Sequence, residues 1–170
     1  MLRSPSRHLF RVPGLLFLLL FFTLSGPWPA TAGGNRPATG SRLVVSEFGS
    51  GKVIVSLPAA SGERFTIRYI HSVDKTPIFE EFRLDAAKGI ILEKTWFTMF
   101  GAGLGHWPGH GRLTQDKNWI TIRDINRPLG SFILRIGALS VGHTIIFRGR
   151  QINLSRRAAG VRALVEFRLE

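Results

Sequence analysis

From residue 42 onward the chain alternates apolar and polar residues with a period of two, almost without interruption. Successive side chains of an extended strand point to opposite sides, so this alternation suits a half-buried sheet and defeats a helix. Leu43, Val44 and Val45, then Val53, Ile54 and Val55, flank a turn at Gly49, Ser50 and Gly51. Phe65, Ile67, Tyr69, His71 and Val73 share one face of the next run, opposite Thr66, Arg68, Ile70 and Ser72. Runs at 78–84, 90–100, 119–123, 132–136, 144–147, 151–154 and 162–169 follow. Turn chemistry separates them at Asp116-Lys117-Asn118, Asn126-Arg127-Pro128, Arg148-Gly149-Arg150 and Ala159-Gly160. The pattern predicts an all-β domain of roughly nine or ten short strands, an antiparallel β-sandwich or partly closed barrel. Only 140–143 and 156–159 leave room for a helical turn.

The N-terminal segment is written differently. Arg3, Arg7 and Arg11 precede an apolar run at 12–24, and Ala30-Thr31-Ala32 stands before Gly33-Gly34. This order of charge, apolar core and small residues predicts a signal peptide over 1–32, cleaved after Ala32. As a helix the apolar run rises about 20 Å, short of the roughly 30 Å hydrocarbon core of a bilayer. Residues 33–41 read as a flexible leader and 42–170 as a single all-β domain. The expected location is periplasmic, with membrane anchoring if the signal is retained. The chain has no cysteine, so its stability must come from apolar burial and sheet hydrogen bonds.

The net charge is +12. The bases are spread singly along the strands, as at Arg64, Arg68, Arg83, Arg123, Arg135 and Arg148, and only Arg156 and Arg157 are adjacent in that domain. Neither an arginine-rich run nor a nucleic-acid motif is present, so nucleic acid is not expected as a partner. Solvated outer faces and protected sheet edges account for most of this charge. Anionic headgroups at a membrane surface, or an acidic protein, are the other partners it suits.

Two segments carry more chemistry than a strand or turn needs. The first is Y-I-H-S-V-D-K-T-P-I-F-E-E at 69–81. His71 is in phase with the apolar face and Ser72 points the opposite way. Glu80 is in phase with Ile78, Phe82 and Leu84, and a carboxylate on that side needs a partner. A four-residue turn over 74–77 would bring Glu80 across the hairpin to His71, so a buried His71–Glu80 pair is expected. Glu81, on the opposite face, reads as solvated or paired with Arg68.

The second segment is F-G-A-G-L-G-H-W-P-G-H-G at 100–111. Its glycines permit positive φ and close approach, and successive N–H groups in such a loop can cradle a carboxylate or headgroup. The segment lacks the lysine and helix of a phosphate loop. His106 and His110 have helical ligand spacing, but Pro108 and Gly109 forbid the helix, so no metal site and no cofactor are expected. Ser72 faces away from His71 and no G-x-S-x-G elbow occurs, so an enzyme is not expected; a hydrolase using His71 and Glu80 is the weakest reading.

The 69–81 motif followed by F-G-A-G-L resembles a bacterial family of unknown function. Its members are small exported or membrane-anchored proteins that accompany TAXI-type TRAP transporters, which are ATP-independent importers of organic anions. The similarity extends over 57–169 in layout and is specific in the two motifs. Tyr69, His71, Ser72, Pro77, Glu80, Glu81, Gly101, Ala102 and Gly103 stand at the matching positions, whereas the histidines at 106–111 are peculiar to this chain. The resemblance implies a non-enzymatic accessory of a TRAP uptake system, docking to its membrane subunit or solute receptor through those residues. The alternative is a free-standing periplasmic module binding a small organic anion or lipid.

Overall fold

The computed structural model describes residues 40–99 and 111–169. The expected signal segment, the leader before Gly40 and the loop residues Gly101, Ala102, Gly103, His106 and His110 lie outside the described residues.

Two antiparallel sheets form the domain. The first joins β1 (Arg42–Glu47), β2 (Val53–Pro58), β9 (Phe132–Arg135) and β12 (Arg162–Arg168) in the order β2-β1-β12-β9. The second contains β3 (Arg64–Ile70), β4 (Pro77–Asp85), β5 (Gly89–Phe97), β6 (Arg112–Gln115), β7 (Ile120–Arg123), β8 (Arg127–Gly130), β10 (Thr144–Phe147) and β11 (Arg150–Asn153). Its order is β11-β10-β3-β4-β5-β7-β6, with β8 also on β5. Among the described residues a single short helix, α1 (Ser155–Ala158), falls in the second region left open for a helical turn. The first, 140–143, is not helical; it belongs to a turn in which the Val141 and Gly142 N–H groups donate to the Ala138 carbonyl.

Leu43, Val45, Val55, Ala163 and Val165 from the first sheet meet Phe65, Ile67, Phe82, Leu84, Ile90 and Ile145 from the second, all buried. Each of these side chains larger than alanine contributes about 1.5–3 kcal/mol by leaving water. This shared core makes the all-β domain a sandwich of two open sheets. A second cluster, Ile78, Phe97, Ile120 and Ile122, lies toward the other end of β4, and Tyr69 packs against both.

The strands number twelve among the described residues, more than the alternation predicts. The extra pairing comes partly from β8. Asn126-Arg127-Pro128 reads as a turn, yet Arg127 and Pro128 lie along β5, opposite Leu92 and Ile91. Proline is tolerated there because β8 is a short strand off the main path of the sheet. Gly89 has φ +71, and a Cβ on it would collide with the Gly130 backbone, so this junction requires glycine. The β10–β11 hairpin turns on Arg148 (φ 48) and Gly149 (φ 73), the left-handed pair that a tight hairpin demands. Ser41, assigned to the leader by composition, is buried and donates from Oγ to the Ala59 carbonyl at 2.6 Å.

Candidate functional site

In the hairpin of β3 and β4, Ile70 stands opposite Pro77, Tyr69 opposite Ile78 and Ile67 opposite Glu80. The turn lies two residues earlier than expected. His71 N–H donates to the Thr76 carbonyl at 2.8 Å, Lys75 N–H donates to the His71 carbonyl at 3.1 Å, and Lys75 is left-handed at φ 56. This placement keeps Pro77 at the first residue of β4, where its missing N–H is tolerated. His71 and Glu80 are consequently separated by four strand levels, about 13 Å. The expected pair does not form, and the hydrolase reading loses the geometry it needed. The displacement is an even number of residues, so Glu80 stays on the inner face.

His71 instead pairs with Asp74 inside the turn. Its Nδ1 is 2.9 Å from Asp74 Oδ2 and accepts from the Asp74 N–H at 3.3 Å. Oδ2 is shut from solvent and has no other hydrogen-bond partner. The contact holds the imidazole ring inside the turn.

Glu80 lies in an inner row that reads Ile145, Ile67, Glu80, Thr95, Ile122 across β10, β3, β4, β5 and β7. Ile67 and Ile145 belong to the main core and Ile122 to the second cluster, so Glu80 occupies the seam between them. Burial pushes its carboxyl up to about 6. No charged partner is paired with it among the described residues. Tyr69 stands on the same face two residues along β3 from Ile67, its phenol raised by burial and then by the Glu80 charge.

Sequence reasoning missed His143. Its ring stacks on Tyr69 with centroids 5.1 Å apart. The Gly137 N–H donates to its Nδ1 at 3.0 Å, its own N–H donates to Ser155 Oγ at 3.0 Å, and its carbonyl accepts from Leu154 N–H at 2.7 Å. An accepting Nδ1 makes the imidazole neutral with its hydrogen on Nε2, and burial lowers its pKa in the same direction. The available signal was parity, since His143 is in phase with Ile145 and Phe147. Tyr69 thus links His143 and Glu80, its ring stacked on His143 and its hydroxyl under the influence of the Glu80 charge, beside the His71–Asp74 turn.

The other predicted residues are dispersed. Ser72 is exposed, and its carbonyl accepts from Lys75 Nζ at 2.5 Å. Glu81 lies on the outer face opposite Thr66 and Lys94, rather than joined to Arg68, and borders an open cleft of about 330 Å³. On that face Phe79 and Trp96 stack at 5.0 Å, Trp119 meets Phe79 edge-on at 5.7 Å, and Lys94 Nζ lies 4.2 Å from the Trp96 ring centre. These rings cover one another, so they are cross-strand packing and not an open stacking platform. Among the described residues no group of three or more His, Asp or Glu is placed to hold a metal, and no helix is long and apolar enough to cross a membrane.

No curated protein and no solved structure matches this chain. A family profile, however, matches residues 65–154, a stretch that begins in β3, ends just before α1 and contains the hairpin, the Glu80 row and His143. The chain belongs to the DUF1850 family, a domain of unknown function.

Proposed function

We propose that this protein is a non-enzymatic, extracytoplasmic accessory of a TAXI-type TRAP uptake system. In this reading the end of the sandwich around His71, Tyr69, Glu80 and His143 docks on the transporter's membrane subunit or solute receptor. The observation that carries the docking role is Glu80. A carboxyl in an apolar row, raised by burial and without a paired cation among the described residues, costs stability that a purely structural residue would not impose. A partner that brings a cation or hydrogen-bond donor to it would recover that cost. The transporter as partner rests on the resemblance of the 69–81 motif and the F-G-A-G-L segment to exported companions of such systems.

Affinity purification of the tagged chain from detergent-solubilised membranes tests the proposal. The transporter subunit or its receptor should co-purify with the wild-type chain and be lost with Glu80→Leu, which keeps the row apolar. Recovery of the chain alone under mild detergent would end the accessory reading.

A further inference from the structure

At one end of the sandwich, turns from both sheets carry exposed aliphatic and aromatic side chains. Val73 and Leu139 are 70% and 67% exposed, each at the tip of a turn. The two turns adjoin, since the Ile70 N–H donates to the Val141 carbonyl at 2.8 Å. Met99, 50% exposed, follows the end of β5 that pairs beside Ile78, on the same side of the hairpin. Phe48, 49% exposed, follows β1 and donates its N–H to the Arg162 carbonyl at 2.8 Å. Exposed aliphatic and aromatic side chains thus stand at successive tips of this end.

Cations flank these tips. Arg135 ends β9 four residues before Leu139, and Arg162 lies directly opposite it in the sheet. Like charges facing across strands are destabilising. Neither arginine is held by a carboxylate among the described residues, and the Arg162 guanidinium rests 5.1 Å from the Phe48 ring centre. Of the acids near the tips, Asp74 is turned inward to His71, Asp116 accepts the Asn118 and Trp119 N–H groups, and Glu47, beside Phe48, accepts from Ser50 Oγ at 2.8 Å. An anionic surface would relieve the arginine repulsion while apolar tips enter the headgroup region, the combination that interfacial membrane contact requires.

We infer that this end of the domain seats on an anionic lipid bilayer, with Val73, Leu139 and Phe48 as the inserting tips and Arg135 and Arg162 as the headgroup contacts. The contact does not depend on the transporter partner. It would hold the Tyr69–Glu80–His143 end at the membrane surface.

The chain has no cysteine, so a single introduced thiol reports one position of the full-length protein. Leu139→Cys and Val73→Cys, each labelled with an environment-sensitive fluorophore, should shift to the blue with phosphatidylglycerol/phosphatidylcholine vesicles. Leu169→Cys, 58% exposed beyond the other end of β12, should not shift. Adding Arg135→Gln and Arg162→Gln should raise the lipid needed for half-maximal shift roughly 30-fold at low salt, given about fivefold per arginine near an anionic surface. Tethering by the N-terminal segment would act on every labelled position alike and cannot produce this pattern. An unchanged spectrum at both tips, an equal shift with pure phosphatidylcholine, an equal shift at residue 169 or full retention in the arginine variant would each overturn the inference.

Discussion

Glu80 and Glu93 lie on neighbouring strands of one sheet, and the fold treats them in opposite ways. Glu93 is the extra residue of a bulge on β5, where the pairing slips between Glu81 and Phe82. The bulge aims its carboxylate along the outer face, where it accepts from Arg64 Nε at 2.7 Å and Arg83 Nε at 2.5 Å. Burial pushes the Glu93 carboxyl up, but the hydrogen bonds from Arg83 and Arg64 outweigh it and hold the carboxyl low. Glu80, one strand away on the inner face, has the burial without the arginines and is raised to about 6. One carboxylate supports the sheet and the other burdens it. In the proposed docking role, that burden is what a partner would relieve.

The largest effect should come from removing what joins the two clusters beside Glu80. Tyr69→Ala deletes an aromatic packed against both and stacked on His143, and should cost about 3–4 kcal/mol in denaturant unfolding. Tyr69→Phe keeps the packing and should cost far less; equal losses would mean that the hydroxyl, rather than the ring, ties this end together.

Glu80→Gln should act in the stabilising direction. The folded-state pKa is above the ordinary value of 4.5, so ionisation is penalised in the native state. The penalty is absent below about 4.5, grows as pH rises to about 6, and reaches about 2 kcal/mol at neutral pH. The variant should therefore be more stable than wild type at pH 7.5, with the pH-dependent part of that gain gone at pH 4. Denaturation curves at the two pH values check it, and a gain that does not vary with pH would refute the charged-state explanation.

Glu93→Gln gives the smaller effect with the opposite sign. Its folded pKa is depressed, so its contribution is present at neutral pH and lost as pH falls through the folded value. The variant should lose about 0.5–1 kcal/mol at pH 7.5, less in high salt, and nothing in strong acid. If Glu80→Gln and Glu93→Gln shift stability in the same direction at neutral pH, the contrast between the two carboxylates fails.

Much of the sandwich was legible because strand parity is local. Phe65, Ile67 and Tyr69 on β3, and Ile78, Glu80 and Phe82 on β4, face inward as the period of two predicts. The hairpin partner was misplaced for the same reason: moving a turn by two residues preserves every face and changes every pair. Asp74 was legible as a turn residue but not as the carboxylate of His71, which depends on where the chain bends. Pro128 looked like a turn because composition cannot show a short strand lying where a missing N–H does no harm.

The sequence by itself determined that this domain is built from antiparallel strands, that Glu80 faces inward and Glu81 outward, and where most turns fall. Those properties follow from side-chain alternation and from residues that tolerate positive φ, both confined to a few neighbours in the chain. The tertiary structure alone decided that Glu80 sits opposite Ile67, that His143 closes over Tyr69, and that Arg135 faces Arg162. These contacts join segments far apart in sequence, and their register is set by turn position and by the packing of two sheets on one core.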